Sequence, residues 1–241
     1  MKSADSWIIT GSTSIVAQEF AHLAAKSAKK LILVGRNSQQ LALICSDIHC
    51  RYQIQCEYFV QDFNEDISPL LTKLAQIEQT NALFLAHADT SNNSDLNKET
   101  INRLITVNIQ NTVQLIHQYW QQPQSHKNII YISSVAANTG RSKNSLYGAT
   151  KAAVEIYLQG LQQECSKHQH ILIARAGFID TRQTFGMPGI FHAAKPSAFA
   201  KRLWRSNQRQ RHHIYFPRFW RFIMLIFSLI PWPIYKKMNK F

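Results

Sequence analysis

Short apolar runs recur along this chain, and each is followed by a stretch of helical periodicity. Trp7 to Thr10 leads into Val16, Phe20, Leu23 and Ala24 at helical spacing, and LILVG (31–35) leads into a polar-capped helix from Ser38. QIQCEYF (53–59) precedes Asp62 and a helix from Ser68, and ALFLA (82–86) precedes a Ser/Asn-rich loop and a long helix through about Trp120. NIIYISS (128–134), a helix from about Tyr147 to Cys165, and HILIARAG (170–177) continue the series. Strands that are apolar on both faces, alternating with helices, require a parallel sheet covered on both sides. Right-handed crossovers make that sheet doubly wound, with a ligand crevice beyond the C-terminal strand ends.

The expected fold class is therefore α/β, a Rossmann fold in one domain over residues 1–217, closed by a last strand at HHIYFP (212–217). Residues 218–241 form a separate basic and apolar extension. Four cysteines at 45, 50, 56 and 165 make no CxxC pair, which suits reduced thiols and no zinc site. The opening MKSADSWIIT runs straight into a strand without an apolar stretch of signal length, so a cytoplasmic location is expected. The net charge of +13 is local: residues 1–180 hold 15 Lys+Arg against 14 Asp+Glu, whereas 181–241 hold 12 Lys+Arg and no acid. Basicity confined to one end argues against a nucleic-acid-binding fold.

At the first strand end, ITGSTSIVAQEF keeps only Gly11 where a phosphate-cradling turn commonly carries three glycines. Free N–H groups in the first helical turn still suit a pyrophosphate, though a purely structural turn looks the same. A β-branched residue is strongly disfavoured at positive φ, so the helix should start by Ser14 or Ile15 with Gly11 alone making the turn. Ser12, Thr13 and Ser14 would add hydroxyl donors, and Ile15 would form an apolar floor. The second strand ends in LVGRN, where Gly35, Arg36 and Asn37 leave space and a cation for a 2'-phosphate and supply no acid for a 2'-hydroxyl. NADP(H) is expected over NAD(H). Asp62 would accept from the adenine amino group, Phe63 would support the ring, and His87 reads as a stray loop histidine.

In YGATK (147–151), Tyr147 and Lys151 share one helix face. A cation beside a phenol lowers its pKa from about 10, making Tyr147 a general acid or base. Ser134, 13 residues upstream, can stabilise charge on the same substrate oxygen, and Asn108 in TVNIQNT can complete a proton relay.

With these residues in place, the chain resembles the short-chain dehydrogenase/reductase family over roughly residues 5 to 205. The resemblance rests on T10-G11-S12-T13-S14, Arg36, Asp62, Asn108, Ser134, Tyr147, Lys151 and R175-A-G-F-I-D-T181. It implies a nicotinamide-dependent oxidoreductase with an Asn-Ser-Tyr-Lys tetrad, in which Lys151 also binds the nicotinamide ribose. Ala88, in the segment LAHAD, and Ile179 and Thr181 would join the cofactor contacts. A homodimer or homotetramer through the helices of Asn108 and Tyr147 is also implied. The departures are Ile15, Ala17, LAHAD for Asn-Asn-Ala-Gly, and Ala176 for proline. The variant turn is similar to that of a subgroup including reductases of lipid-linked keto-sugars.

After Thr181, the aromatic and aliphatic residues Phe185, Met187, Ile190 and Phe191 suggest an apolar substrate portion. Between Arg221 and Lys236 lie 14 uncharged residues broken by Pro231 and Pro233, too short to span a bilayer. Trp220, Trp232 and Tyr235 with Arg218, Arg221, Lys236 and Lys237 suit the surface of an anionic membrane, at its cytoplasmic face. A helix buried on a partner subunit is the competing reading. The expected function is NADP(H)-dependent reduction of a small-molecule or lipid-linked carbonyl compound; the alternative is a non-catalytic NADP(H)-binding sensor or membrane-bound regulatory protein.

Overall fold

The computed structural model describes residues 5–77, 81–124, 126–181 and 193–238. Seven strands, β1 (Ser6–Thr10), β2 (Lys30–Gly35), β3 (Gln55–Val60), β4 (Asn81–Leu85), β5 (Lys127–Ser134), β6 (Gln169–Ala176) and β7 (His213–Phe216), form one parallel sheet. Their order, β3-β2-β1-β4-β5-β6-β7, reverses direction between β1 and β4 and opens a crevice there.

Nine helices cover the two faces among the described residues: α1 (Ile15–Ala24), α2 (Ser38–Tyr52), α3 (Ser68–Ala75), α4 (Lys98–Ile105), α5 (Asn111–Gln121), α6 (Ser145–Glu164), α7 (Pro196–Gln208), α8 (Trp220–Leu229) and α9 (Trp232–Tyr235). Side chains alternate across each strand, so Trp7 and Ile9 pack with α1, α2 and α7 while Ile8 packs with α3, α5 and α6. Trp7, Phe20 and Phe84 are fully buried, with Phe20 stacked on Phe84 at 4.0 Å. Cys45 and Cys56, which their spacing does not pair, bring their sulfurs to 2.8 Å between α2 and the edge strand β3.

The expected long helix through Trp120 is interrupted by a π turn at Thr106–Gln110, which joins α4 to α5. The C-terminal residues lie against the domain. Trp220 rests on the backbone of Gly177 beyond β6, and Met224 is buried.

Gly11 occupies the turn between β1 and α1 at φ +64, and the Ser14 N–H closes that turn on the Gly11 carbonyl at 2.9 Å. A Cβ at Gly11 would come within 2.7 Å of the His87 nitrogen, so the position excludes side chains on both counts. Gly11→Ala is expected to lower unfolding free energy by at least ~2 kcal/mol in denaturant titration; an unchanged midpoint would show that the turn relaxes freely.

Candidate active site

The expected cofactor and tetrad residues fall at or just beyond C-terminal strand ends or on the helices that follow, and two groups of them meet. The first group lies around β1, β2 and β3. Ser14 caps α1 with extended backbone (φ −73, ψ 142), its hydroxyl accepting from the Ala17 N–H at 3.2 Å. The helix thus starts at Ile15 in right-handed geometry. First-turn N–H groups have no intrahelical acceptor, so those of Ile15 and Val16 lie open to an anion at the positive end of the helix. Ile15 itself is 42% exposed.

Gly35 ends β2 with room beside Thr13, and Arg36 extends outward with Nη1 3.9 Å from an Asp62 carboxylate oxygen. No acidic residue occupies the end of β2. This arrangement of open N–H groups, a glycine turn that a Cβ would fill, and an exposed guanidinium fits a dinucleotide carrying a 2'-phosphate.

Two expected contacts in this group, those of Ser12 and Phe63, are corrected, while Asn37 stays exposed next to Arg36. Ser12 is buried, donating to the Ile9 carbonyl at 2.6 Å and accepting from the Val34 N–H at 3.1 Å, so its hydroxyl ties β1 to β2 and leaves phosphate donation to Thr13 and Ser14. Asn37 caps α2 by accepting from the Gln40 N–H at 2.9 Å. Phe63 is a core residue stacked on the His87 ring at 3.6 Å, which removes it as an adenine support.

His87 in turn is no stray loop residue. Its Nδ1 pairs with Thr10 at 2.7 Å and its Nε2 with Thr112 at 2.8 Å, tying the ends of β1 and β4 to α5. Burial, with the Lys151 charge adding, pushes its pKa down to about 3, so the ring is neutral.

The second group joins β5, the π turn and α6. Ser134 ends β5 and accepts from the Ala136 N–H at 3.1 Å, and its hydroxyl lies near enough to Tyr147 to act on the phenol's pKa. Gly148 makes this possible, because α6 approaches the loop after β5 so closely that a Cβ there would lie 2.5 Å from the Ala136 carbonyl oxygen. Sequence reasoning passed over Gly148, although it sits inside YGATK.

The Asn108 side chain is fully engaged. It accepts from the Asp89 N–H at 2.8 Å and donates to the Asp89 carbonyl at 2.8 Å and the Thr150 hydroxyl at 3.0 Å. The amide side chain is therefore a brace between the segment after β4 and α6. Ala88 lies half-buried just before the braced Asp89.

The expected lowering of the Tyr147 pKa is also corrected. Burial pushes it up to about 12, and the nearby Ser134 hydroxyl offsets only part of that shift. The Lys151 ammonium points elsewhere, donating to the Ile132 carbonyl at 2.9 Å and lying 4.7 Å above the Tyr131 ring. Burial brings Lys151 down to about 8, opposed by Glu155 one turn further along α6.

Glu155 is buried and held by Arg175, whose Nε donates to its carboxylate at 2.9 and 3.1 Å and whose Nη2 donates at 2.5 Å. Arg175 also donates to Asn138 at 3.2 Å and to the Tyr215 hydroxyl at 2.5 Å. Neither Glu155 nor this network was read from sequence, although Glu155 continues the Tyr147, Lys151 spacing of four.

Ile179 is buried and bridges to Ala194, so the two ends of the segment that follows Thr181 are pinned together. Phe185, Met187, Ile190 and Phe191 lie outside the described residues.

Tyr147 and Ser134 thus present a phenol and a hydroxyl side by side at the crevice, beside a buried cation. That set can protonate and hold an oxygen on which charge develops.

Residues 6–185 match the family model for short chain dehydrogenase. An uncharacterized oxidoreductase of Staphylococcus saprophyticus is 28% identical over 72% of this chain and 78% of its own length. The very-long-chain 3-oxoacyl-CoA reductase of Laccaria bicolor is 24% identical, over 66% of this chain and 50% of that protein. Among solved structures, a short-chain dehydrogenase from Sphingobium yanoikuyae in complex with NADPH superposes with a TM-score of 0.80, covering 94% of this chain and 96% of that one at 21% identity.

The depressed Lys151 pKa has a measurable sign. Below about pH 8 the folded protein carries the full burial penalty, and that penalty is relieved as pH rises from about 8 toward the unfolded value near 10.4, over which range stability from this group increases. NMR of 13Cε-labelled lysines should show one resonance titrating near pH 8 that is missing in Lys151→Met; uniform titration near 10.4 would contradict it.

Proposed function

The chain belongs to the short chain dehydrogenase family, and from that premise we propose that this oxidoreductase is an NADP(H)-dependent carbonyl reductase acting on an apolar or lipid-linked substrate at the cytoplasmic face of a membrane. The observation that carries the reading is the Tyr147 phenol placed beside the Ser134 hydroxyl at the end of β5. The exposed Arg36 and the open first turn of α1 support NADP(H), which supplies the hydride when bound. Gly11, Thr13, Ser14 and Ile15 would hold its pyrophosphate, Arg36 and Asp62 its adenosine end, and Lys151, Ala88, Ile179 and Thr181 its nicotinamide end.

Ser134 orients the carbonyl oxygen and Tyr147 delivers its proton. A phenol held near 12 stays protonated at neutral pH, which suits the reducing direction. Lys151 adds a buried cation one turn further along the same helix. A purely sensing role would leave this Ser-Tyr-Lys arrangement without use.

The membrane part of the reading rests on the tail. Phe222, Leu225, Ile226 and Leu229 form one face of α8 and are 58–74% exposed, with Trp232 70% exposed on α9. Arg218, Arg221, Lys236 and Lys237 flank that face, all exposed. No described helix is long and apolar enough to cross a membrane. An apolar face ringed by cations with no acid fits the surface of an anionic leaflet. Exposed Ile101 and Ile105 on α4 and Ile156 on α6 support assembly as a homodimer or homotetramer through those helices.

Tyr147→Phe should reduce kcat for NADPH-dependent ketone reduction by about 10²–10⁴-fold while NADPH affinity stays within about twofold; undiminished turnover would remove Tyr147 from the chemistry. Separately, the full chain should co-sediment with phosphatidylglycerol vesicles and less with phosphatidylcholine ones. Leu225→Asp with Leu229→Asp should abolish this, and equal sedimentation of the double variant would refute the docking face.

A further inference from the structure

The segment linking Ser134 to Tyr147 is roofed by the C-terminal helices. Asn138 donates from Nδ2 to the Ser228 hydroxyl at 3.0 Å and the Met224 carbonyl at 3.3 Å, and the Tyr235 hydroxyl donates to the Gly140 carbonyl at 2.6 Å. Between these anchors lies a cavity of about 610 Å³, with Arg141, Ser142 and Ser145 on one wall and Phe227, Ile230 and Trp232 on the other. A volume of this size lies within the range of small-molecule sites.

Arg141 is half-buried in this cavity, and its guanidinium has neither a hydrogen-bond acceptor nor an ion-pair partner among the described residues. Burial lowers its pKa, and the neighbouring Tyr235 phenol opposes that shift. No acid lines the cavity, and the chain after Asp180 contains none to supply a counter-charge. A cation partly withdrawn from water without a partner is destabilising unless a bound group supplies the opposite charge.

The same wall adds two features that favour an anion. Ser145 accepts from Asn93 at 2.8 Å, which leaves its own proton to donate, and it opens the 20-residue helix α6 at the positive end of its dipole. The opposite wall is aromatic and aliphatic.

We propose that this cavity binds the phosphate of an amphiphilic ketone, with the Arg141 guanidinium holding the phosphate oxygens and the wall of Phe227, Ile230 and Trp232 covering the adjoining apolar chain. The role of that ketone as substrate rests on the reductase reading; the anion site stands on the cavity and its unpaired cation. The cavity adjoins both catalytic hydroxyls through the chain, since Asn138 follows Ser134 and Ser145 precedes Tyr147 on one continuous segment.

Calorimetry on the full-length protein with octyl phosphate, inorganic phosphate and octanol tests the site without catalysis. Octyl phosphate should bind about ten- to a hundredfold more tightly than either fragment. Arg141→Gln should lose that advantage and Arg141→Lys should keep part of it. Equal octyl phosphate affinity in wild type and Arg141→Gln would overturn the site, and inorganic phosphate binding as tightly as octyl phosphate would overturn its amphiphile character.

Turnover of 10-oxoundecyl phosphate against 10-oxoundecanol tests the substrate role. The phosphate should be preferred in kcat/KM about tenfold or more, through KM, and Arg141→Gln should erase the preference. Octyl phosphate binding without turnover of either ketone would uphold the anion site and refute the substrate role, with the reductase reading failing alongside. If Arg141→Gln loses phosphatidic acid vesicle binding but keeps its octyl phosphate affinity, Arg141 is a headgroup contact and the proposal fails.

Discussion

One buried amide sets where α6 stands. Asn108 makes three hydrogen bonds, two to the backbone of Asp89 beyond β4 and one to Thr150 on α6, and the Thr150 hydroxyl also donates to the Tyr147 carbonyl at 2.8 Å. Buried polar groups of this kind are costly unless fully satisfied, so the set of partners admits one arrangement of the three segments. The π turn that carries Asn108 widens the helix at the point where the amide must reach sideways, a recurrent use of such turns at functional sites. Gly148 completes the constraint by letting α6 close on the loop after Ser134.

Around this brace, charge is arranged so that a cation can be buried beside a phenol. Lys151 has a carbonyl and an aromatic face for partners, and Glu155 below it is held by Arg175. The Glu155 carboxylate resists the loss of the Lys151 proton, while Arg175 prevents that carboxylate from being left unpaired in the core. His87, drawn neutral by its burial and by the same lysine, adds no competing charge. Lys151, Glu155, Arg175 and Tyr215 thus form a chain of groups extending from α6 across β6 to β7.

Much of this was legible in the sequence because it depends on spacing. Strand and helix alternation gave the sheet, Gly11 with the β-branched Ile15 gave the start of α1, and the helical interval between Tyr147 and Lys151 placed both at one crevice. What escaped depends on contacts between residues far apart in the chain. Ser12 looked like a phosphate donor because it sits in the turn, yet its hydroxyl is consumed by Ile9 and Val34. Phe63 and His87, 24 positions apart in the numbering, stack although β2 and β1 separate β3 from β4, a contact between the loops that follow the two strands. The sign of the Tyr147 shift was misjudged for a related reason: spacing places Lys151 on the right face, but only the structure shows its ammonium turned toward Ile132 and Tyr131.

The tail joins the two halves of the functional reading physically. One side of α8 is fixed to the segment between Ser134 and Tyr147 by Asn138, and the other exposes Phe222, Leu225, Ile226 and Leu229. Full burial of such a side chain contributes roughly 1.5–3 kcal/mol, so half-insertion of four, about 3–6 kcal/mol, is comparable with the roughly 1 kcal/mol that each of the four flanking cations gains near an anionic surface. On these magnitudes, apolar insertion fixes the orientation of a docked protein and the cations supply the preference for anionic lipid. A tail inserted in this way holds the roof of the Arg141 cavity at the headgroup level. An amphiphile leaving the leaflet would then meet Trp232 with its chain and Arg141 with its phosphate before its ketone reached Tyr147.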